Sequence, residues 1–81
     1  MIPPRIKEVK ALDNFCLEIT YVTNEKKIYD MSKQLKFEFY NRLNNIEYFK
    51  LAKSVDTTIE WPNGEDIDPN ELYTNSKEIK K

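Results

Sequence analysis

Apolar side chains occupy every second position from Phe15 to Tyr21, and this alternation constrains the fold more than any other feature of the sequence. Successive side chains of a β-strand point to opposite faces, so one face of such a segment packs against a core. The face predicted to pack carries Phe15, Leu17, Ile19 and Tyr21, and the opposite face carries Cys16, Glu18, Thr20 and Val22. Residues 15–22 are therefore predicted to form a strand.

Two further predicted strands flank this segment, at residues 5–12 and 27–31. The Asp13-Asn14 pair and residues 23–26 separate the three runs and have the composition of tight turns. Consecutive strands that are joined by tight turns pair antiparallel. We therefore expect a three-stranded antiparallel meander.

The chain changes periodicity after the third strand. Leu35, Phe39 and Leu43 recur four residues apart, which predicts an amphipathic helix over residues 33–43, either whole or broken into two short helices. Residues 46–51 indicate one more helical turn. Residues 52–55 and 58–61, separated by a two-residue turn, are expected to form a β-hairpin.

The C-terminal quarter contains a turn followed by a helix start. Pro-Asn-Gly at residues 62–64 predicts a tight turn. Asp68 is expected to cap a short helix, with Pro69 in the first helical position and Glu71 completing a capping box. Residues 74–81 are polar and are expected to fray.

Together these elements predict an α+β fold. At 81 residues the chain is expected to form one small domain, residues 1–81, with an ordered core of about residues 4–73. Its order would be an antiparallel three-stranded meander, one or two helices, and then a C-terminal β-hairpin with a short helix.

The composition excludes most catalytic and cofactor chemistry. The chain has no histidine, one cysteine (Cys16) and one glycine (Gly64), which excludes histidine-based catalysis, cysteine-rich zinc sites and glycine-rich phosphate loops. The acidic run Glu65, Asp66, Asp68 and Glu71 could bind a cation, but helix capping already accounts for Asp68 and Glu71. We expect no catalytic residues, no metal and no cofactor, and hence not an enzyme.

Charge and hydropathy bear on partners and location. The 13 basic residues are balanced by 14 acidic ones, and only Arg5 and Arg42 are arginine, so direct nucleic-acid binding is not expected. No apolar stretch is long enough to span a membrane or to form a signal peptide. The lone Cys16 fits a reducing compartment, and a cytoplasmic location is the expectation.

The aromatic residues are the strongest indication of function. Aromatic residues make up 12% of the chain, which is more than a core of this size requires, so some tyrosines are expected at the surface as a protein interface. The candidate interaction or ligand residues are Tyr21, Tyr29, Tyr40, Tyr48, Trp61 and Asn63. Trp61 could instead be a buried anchor beneath a tight turn. The expected partner is another protein or a second copy of the chain.

A second functional interpretation stays open beside the interaction module. Phe39, Tyr48, Phe49 and Trp61 could line an aromatic pocket between sheet and helix, and the domain would then bind a small ligand.

Residues 59–73 carry a recognisable motif: a Trp-Pro-Asn-Gly turn, an acidic residue, an apolar residue, Asp-Pro, and Leu-Tyr two residues later. This segment resembles the signature of a bacterial family known as domain of unknown function 2442. The structural residues of the motif are Gly64, Asp66, Asp68, Pro69, Leu72 and Tyr73. The order of the other segments also agrees, over roughly residues 4–73.

The resemblance implies a compact α+β domain without established catalytic residues. Some relatives carry a helix-turn-helix domain, and some are encoded beside small proteins suspected of toxin–antitoxin pairing. What the resemblance implies about function is a small regulatory or partner-binding module, and this is an analogy of fold.

Overall fold

The computed structural model describes residues 2–79 and shows an α+β fold. Strands β1 (Ile6–Ala11), β2 (Cys16–Tyr21) and β3 (Lys26–Asp30) form the antiparallel meander predicted from the sequence. Two 3₁₀ helices (Ser32–Gln34 and Glu38–Asn44) and helix α1 (Ile46–Phe49) follow. The β4–β5 hairpin (Lys53–Val55 and Thr58–Glu60), helix α2 (Pro69–Asn75) and strand β6 (Lys77–Glu78) complete the fold.

The central strand packs as its alternation predicts. Leu17, Ile19 and Tyr21 of β2 are fully buried in one contiguous core. Phe15 differs from the prediction, because it adopts a φ of 61° and lies in the turn before β2 begins. Its half-buried ring still reaches the core and lies 5.3 Å, centroid to centroid, from the ring of Phe49.

The segment after β3 departs most from the sequence-based prediction. Glu38–Asn44, here called the 3₁₀ segment, follows an extended residue, Phe37, instead of continuing an α-helix. Asn44 donates side-chain hydrogen bonds to the carbonyls of Leu35 and Asn41, at 3.2 and 3.1 Å. Side-chain bonds of this kind compete with the α-helical pattern, so the four-residue spacing of apolar residues is an incomplete guide here.

Helix α2 begins as predicted. Asp68 caps it by accepting from the backbone N–H of Glu71 at 3.3 Å, and Pro69 occupies the first turn. The Glu71 carboxylate does not complete the capping box among the described residues, because it accepts a hydrogen bond from the Tyr29 hydroxyl at 3.1 Å instead.

The C-terminal segment continues the fold where fraying is predicted from the sequence. Lys77 and Glu78 pair antiparallel with β3, giving the sheet order β1-β2-β3-β6. The backbone N–H of Ile79 donates to the carbonyl of Lys26 at 2.9 Å. The free edge of β3 offers unpaired backbone groups, and a short polar segment satisfies them without needing an apolar pattern. Residues 80 and 81 of the predicted tail, and residue 1 of the predicted domain, lie outside the described part of the chain.

Candidate functional site

The Trp61 turn, residues 61–65, rests on a buried tryptophan. The Trp61 side chain is fully buried, and its indole N–H donates to the carbonyl of Phe49 at 2.9 Å. Backbone N–H groups of Trp61 and Gly64 close the turn on the carbonyls of Glu65 and Trp61, at 2.8 and 2.9 Å. Gly64 has a φ of 98°, a conformation that residues with a Cβ atom rarely adopt. Trp61 is therefore an anchor and not a contact residue.

Tyr48 connects helix α1 to this turn. Its hydroxyl donates to Oε1 of Glu65 at 2.7 Å and accepts from the backbone N–H of Asn63 at 2.9 Å. Burial and the bond to Glu65 raise the pKa of the Tyr48 hydroxyl. Glu65 is itself only 7% exposed, so the pair places a carboxylate just beneath the surface.

A groove of about 340 Å³ opens above this carboxylate. It is lined by Glu38, Phe39, Asn41, Arg42 and Glu65, so the 3₁₀ segment forms one wall and the Trp61 turn the other. Nε of Arg42 lies 3.9 Å from Oε2 of Glu65, and its guanidinium carbon lies 5.9 Å from the centre of the Tyr48 ring. The same guanidinium contacts the side-chain amide of Asn63. We refer to this site as the Arg42 groove.

Phe39 lines the groove with 57% of its surface exposed, and Phe37, which directly precedes the 3₁₀ segment, is 51% exposed. A 3₁₀ helix has three residues per turn, so residues three apart share a face. Tyr40 and Leu43 accordingly face the core, while Phe39 and Arg42 face outward. An α-helix would have buried Phe39 with Leu35 and Leu43, as its spacing predicts. The three-residue spacing of Tyr40 and Leu43 was the available signal for this turn.

The candidate tyrosines have different environments. Tyr21 and Tyr29 are buried, so they do not form the surface proposed for them, and burial raises the pKa of each to about 12. Tyr40 is half-buried, and its hydroxyl donates to the carbonyl of Asp66 at 2.8 Å. Of the six candidates, Asn63 is exposed. Tyr48 contacts two of the residues that line the groove, Glu65 and Arg42.

The aromatic pocket suggested by the sequence is not assembled. Phe49 and Trp61 pack against each other in the core, with ring centroids 6.0 Å apart and no exposed surface. Phe39 is 57% exposed and lines the Arg42 groove instead. The four rings of that interpretation therefore do not line one cavity, and Arg42, Glu38 and Asn41 are the groove residues that sequence reasoning missed.

The remaining motif residues hold the C-terminal segment in place. Leu72 is buried, and the ring of Tyr73 packs edge-on against Tyr21 with centroids 5.1 Å apart. The Tyr73 hydroxyl contacts both carboxylate oxygens of Glu25, at 3.0 and 2.9 Å. Asp66 is exposed and forms a backbone bridge to Glu60.

Among residues 2–79, no cluster of three or more acidic or cysteine side chains is arranged to hold a metal ion. Within the same span, no helix has the length and apolar character needed to cross a membrane.

A family model matches most of the chain. No curated protein and no solved structure shows significant similarity to the chain. The family model described as "Protein of unknown function (DUF2442)" matches residues 6–78, which is nearly the whole chain and includes both walls of the Arg42 groove. The resemblance seen in the Trp-Pro-Asn-Gly motif is thereby confirmed, and the chain belongs to the DUF2442 family.

Proposed function

We propose that this domain is a non-enzymatic protein-interaction module whose contact surface is Phe37, Phe39 and Arg42. The observation that carries the proposal is the exposure of both phenylalanine side chains, each more than half, with Phe39 lining the same groove as Arg42. Aromatic residues and arginine are enriched at protein interfaces and supply most of their binding energy. Removing these two rings from water would stabilise a complex through the hydrophobic effect.

The way the 3₁₀ segment is anchored also supports this proposal. Leu35 and Leu43, on either side of the exposed rings, are buried in the core. The segment is therefore held before a partner arrives, and little backbone entropy remains to be lost on binding. A surface that is both apolar and fixed in position is suited to recognition.

A regulatory role is a more specific form of the same proposal. A module of this kind would act by holding a partner in one state, and pairing with a toxin would be one example. The identity of the partner decides between these forms, and a second copy of the chain is also a partner that the surface could accept.

Site-specific photo-crosslinking tests the proposal in the cells that naturally make the protein. The photoreactive residue p-benzoylphenylalanine replaces Phe37 or Phe39, and matched controls replace Val22 or Leu51, which are each 55% exposed. We expect one discrete adduct from positions 37 and 39 that the controls do not give. Adducts of equal yield from all four positions, or from none, contradict an interaction surface here. The adduct mass distinguishes a second copy from another protein.

A further inference from the structure

The Arg42 groove differs in charge from two other surface grooves of the fold. A groove of about 290 Å³ includes Asp30 and Glu71 with Lys33 and Lys77, and one of about 170 Å³ includes Glu8 and Glu18 with Lys10 and Lys26. Acidic and basic side chains balance in both. In the Arg42 groove two carboxylates, Glu38 and Glu65, face a single guanidinium, so one negative charge is in excess.

The buried carboxylate has unused hydrogen-bonding capacity. An ionised carboxylate can accept about four hydrogen bonds. Among residues 2–79 the side chain of Glu65 accepts one, from the Tyr48 hydroxyl to Oε1. The Nε of Arg42 is 3.9 Å from Oε2, beyond hydrogen-bond distance, and the Glu65 side chain is 9% exposed. Oε2 is therefore a free acceptor on a mostly buried side chain that lines the groove.

The other residues that line the groove could contact a long basic side chain along its length. Phe39 offers an aromatic ring at the groove wall, over which an apolar stem or a cation can pack. Glu38 and Asn41 add a second carboxylate and an amide, both of which accept hydrogen bonds from a guanidinium.

We propose that the Arg42 groove binds an arginine side chain of the partner protein, with Glu65 and Glu38 as its counter-charges and Phe39 against its stem. This inference rests on the proposed interaction function and specifies the partner's anchoring residue. An acidic anchor is the competing occupant, because Arg42 could pair with it. The excess negative charge disfavours that choice, and so does the contact between the Arg42 guanidinium and the side-chain amide of Asn63.

A peptide titration followed by NMR tests the inference. The probe is acetyl-Gly-Arg-Gly-amide, added to ¹⁵N-labelled protein. The controls are the same peptide with citrulline, which is neutral and nearly isosteric, and with glutamate. We expect saturable shifts at the backbone amides of Phe39, Asn63 and Glu65, and binding of the citrulline peptide weakened at least about tenfold by loss of the charge-assisted bonds.

Matched variants assign the effect to the groove. Glu65→Gln and Glu38→Gln should each weaken the arginine peptide, and Glu38 is exposed, so its substitution leaves folding intact even where that of Glu65 does not. Glu8→Gln, in the balanced groove on the sheet, should leave binding unchanged. Equal binding of arginine and citrulline peptides, no effect of Glu38→Gln, or preference for the glutamate peptide would each overturn the inference.

The two experiments fail separately. A crosslink at position 39 without arginine-peptide binding overturns the arginine anchor and leaves the interaction module standing. Absence of any crosslink at positions 37 and 39 overturns the interaction module, and with it the inference that depends on it.

Discussion

The two walls of the Arg42 groove hold their aromatic side chains in opposite ways. In the Trp61 turn, the indole ring is fully buried and its N–H is hydrogen-bonded to the carbonyl of Phe49. In the 3₁₀ segment, the ring of Phe39 is 57% exposed and forms a T-shaped pair with the ring of Tyr40, with centroids 4.9 Å apart. One wall therefore uses its aromatic residue for stability, and the other leaves it available to a partner.

Under the proposed function, this difference divides two tasks between the walls: stability and recognition of a partner. A domain of this size buries a limited core, so losing a buried side chain lowers its stability strongly. A segment that exposes its aromatic ring must therefore be held in place by other buried residues. Here Leu43, four residues further along the 3₁₀ segment and fully buried, supplies that support. Substitutions on the two walls should accordingly separate loss of stability from loss of binding.

The largest effect is expected for Trp61→Ala. Removing a fully buried tryptophan should cost about 3–5 kcal/mol, much of the stability of a domain this small. Urea denaturation followed by circular dichroism measures the change. Trp61→Phe keeps an aromatic ring and loses the hydrogen bond to Phe49. Its free energy of unfolding should lie between those of Trp61→Ala and the natural protein. An unchanged midpoint for Trp61→Ala would show that the turn does not depend on its anchor.

A smaller effect is expected for Tyr48→Phe, which removes the hydroxyl between Glu65 and Asn63. The melting temperature should fall by about 4–8 °C, because the sheltered carboxylate loses its donor. The raised pKa of Tyr48 adds a pH test. The protonated Tyr48 hydroxyl stabilises the fold fully below its unfolded-state pKa, near 10. This stabilisation is lost as the pH rises through the higher folded-state pKa. The gap between variant and natural protein should narrow above about pH 10; a constant gap contradicts this.

The sequence predicts the fold where one physical factor determines local structure. Alternation along β2 specifies which side chains are buried, and the Asp68-Pro69 pair specifies where α2 begins. The 3₁₀ segment is harder to predict, because Asn44 bonds to backbone carbonyls that the apolar spacing does not reveal. Strand β6 is harder still, since its pairing depends on the free edge of β3.

The candidate site was only partly predictable for a related reason. The motif identifies the Trp61 turn, and Tyr48 and Asn63 are indeed joined there by a hydrogen bond. The other wall of the groove is the 3₁₀ segment. The face that such a segment exposes changes when the helix changes from about 3.6 to three residues per turn. Phe39 lies with Arg42 on the exposed face of this segment, whereas an α-helix would have turned it toward Leu35 and Leu43, four residues away on either side. Burial likewise removes Tyr21 and Tyr29 from the expected surface.

The smallest effect on stability, and the sharpest test of the comparison, is expected for Phe39→Ala. The exposed ring should contribute less than about 1 kcal/mol to the free energy of unfolding, most of it through Tyr40. Leu43→Ala is the matched variant in the same segment, and its fully buried side chain should cost about 2–5 kcal/mol. Denaturation of both variants measures this contrast, and crosslinking from position 37 measures binding. Phe39→Ala should abolish the adduct while leaving the fold intact. If it instead destabilises the domain as much as Leu43→Ala, the exposed ring serves the core, and the two walls do not divide stability from recognition.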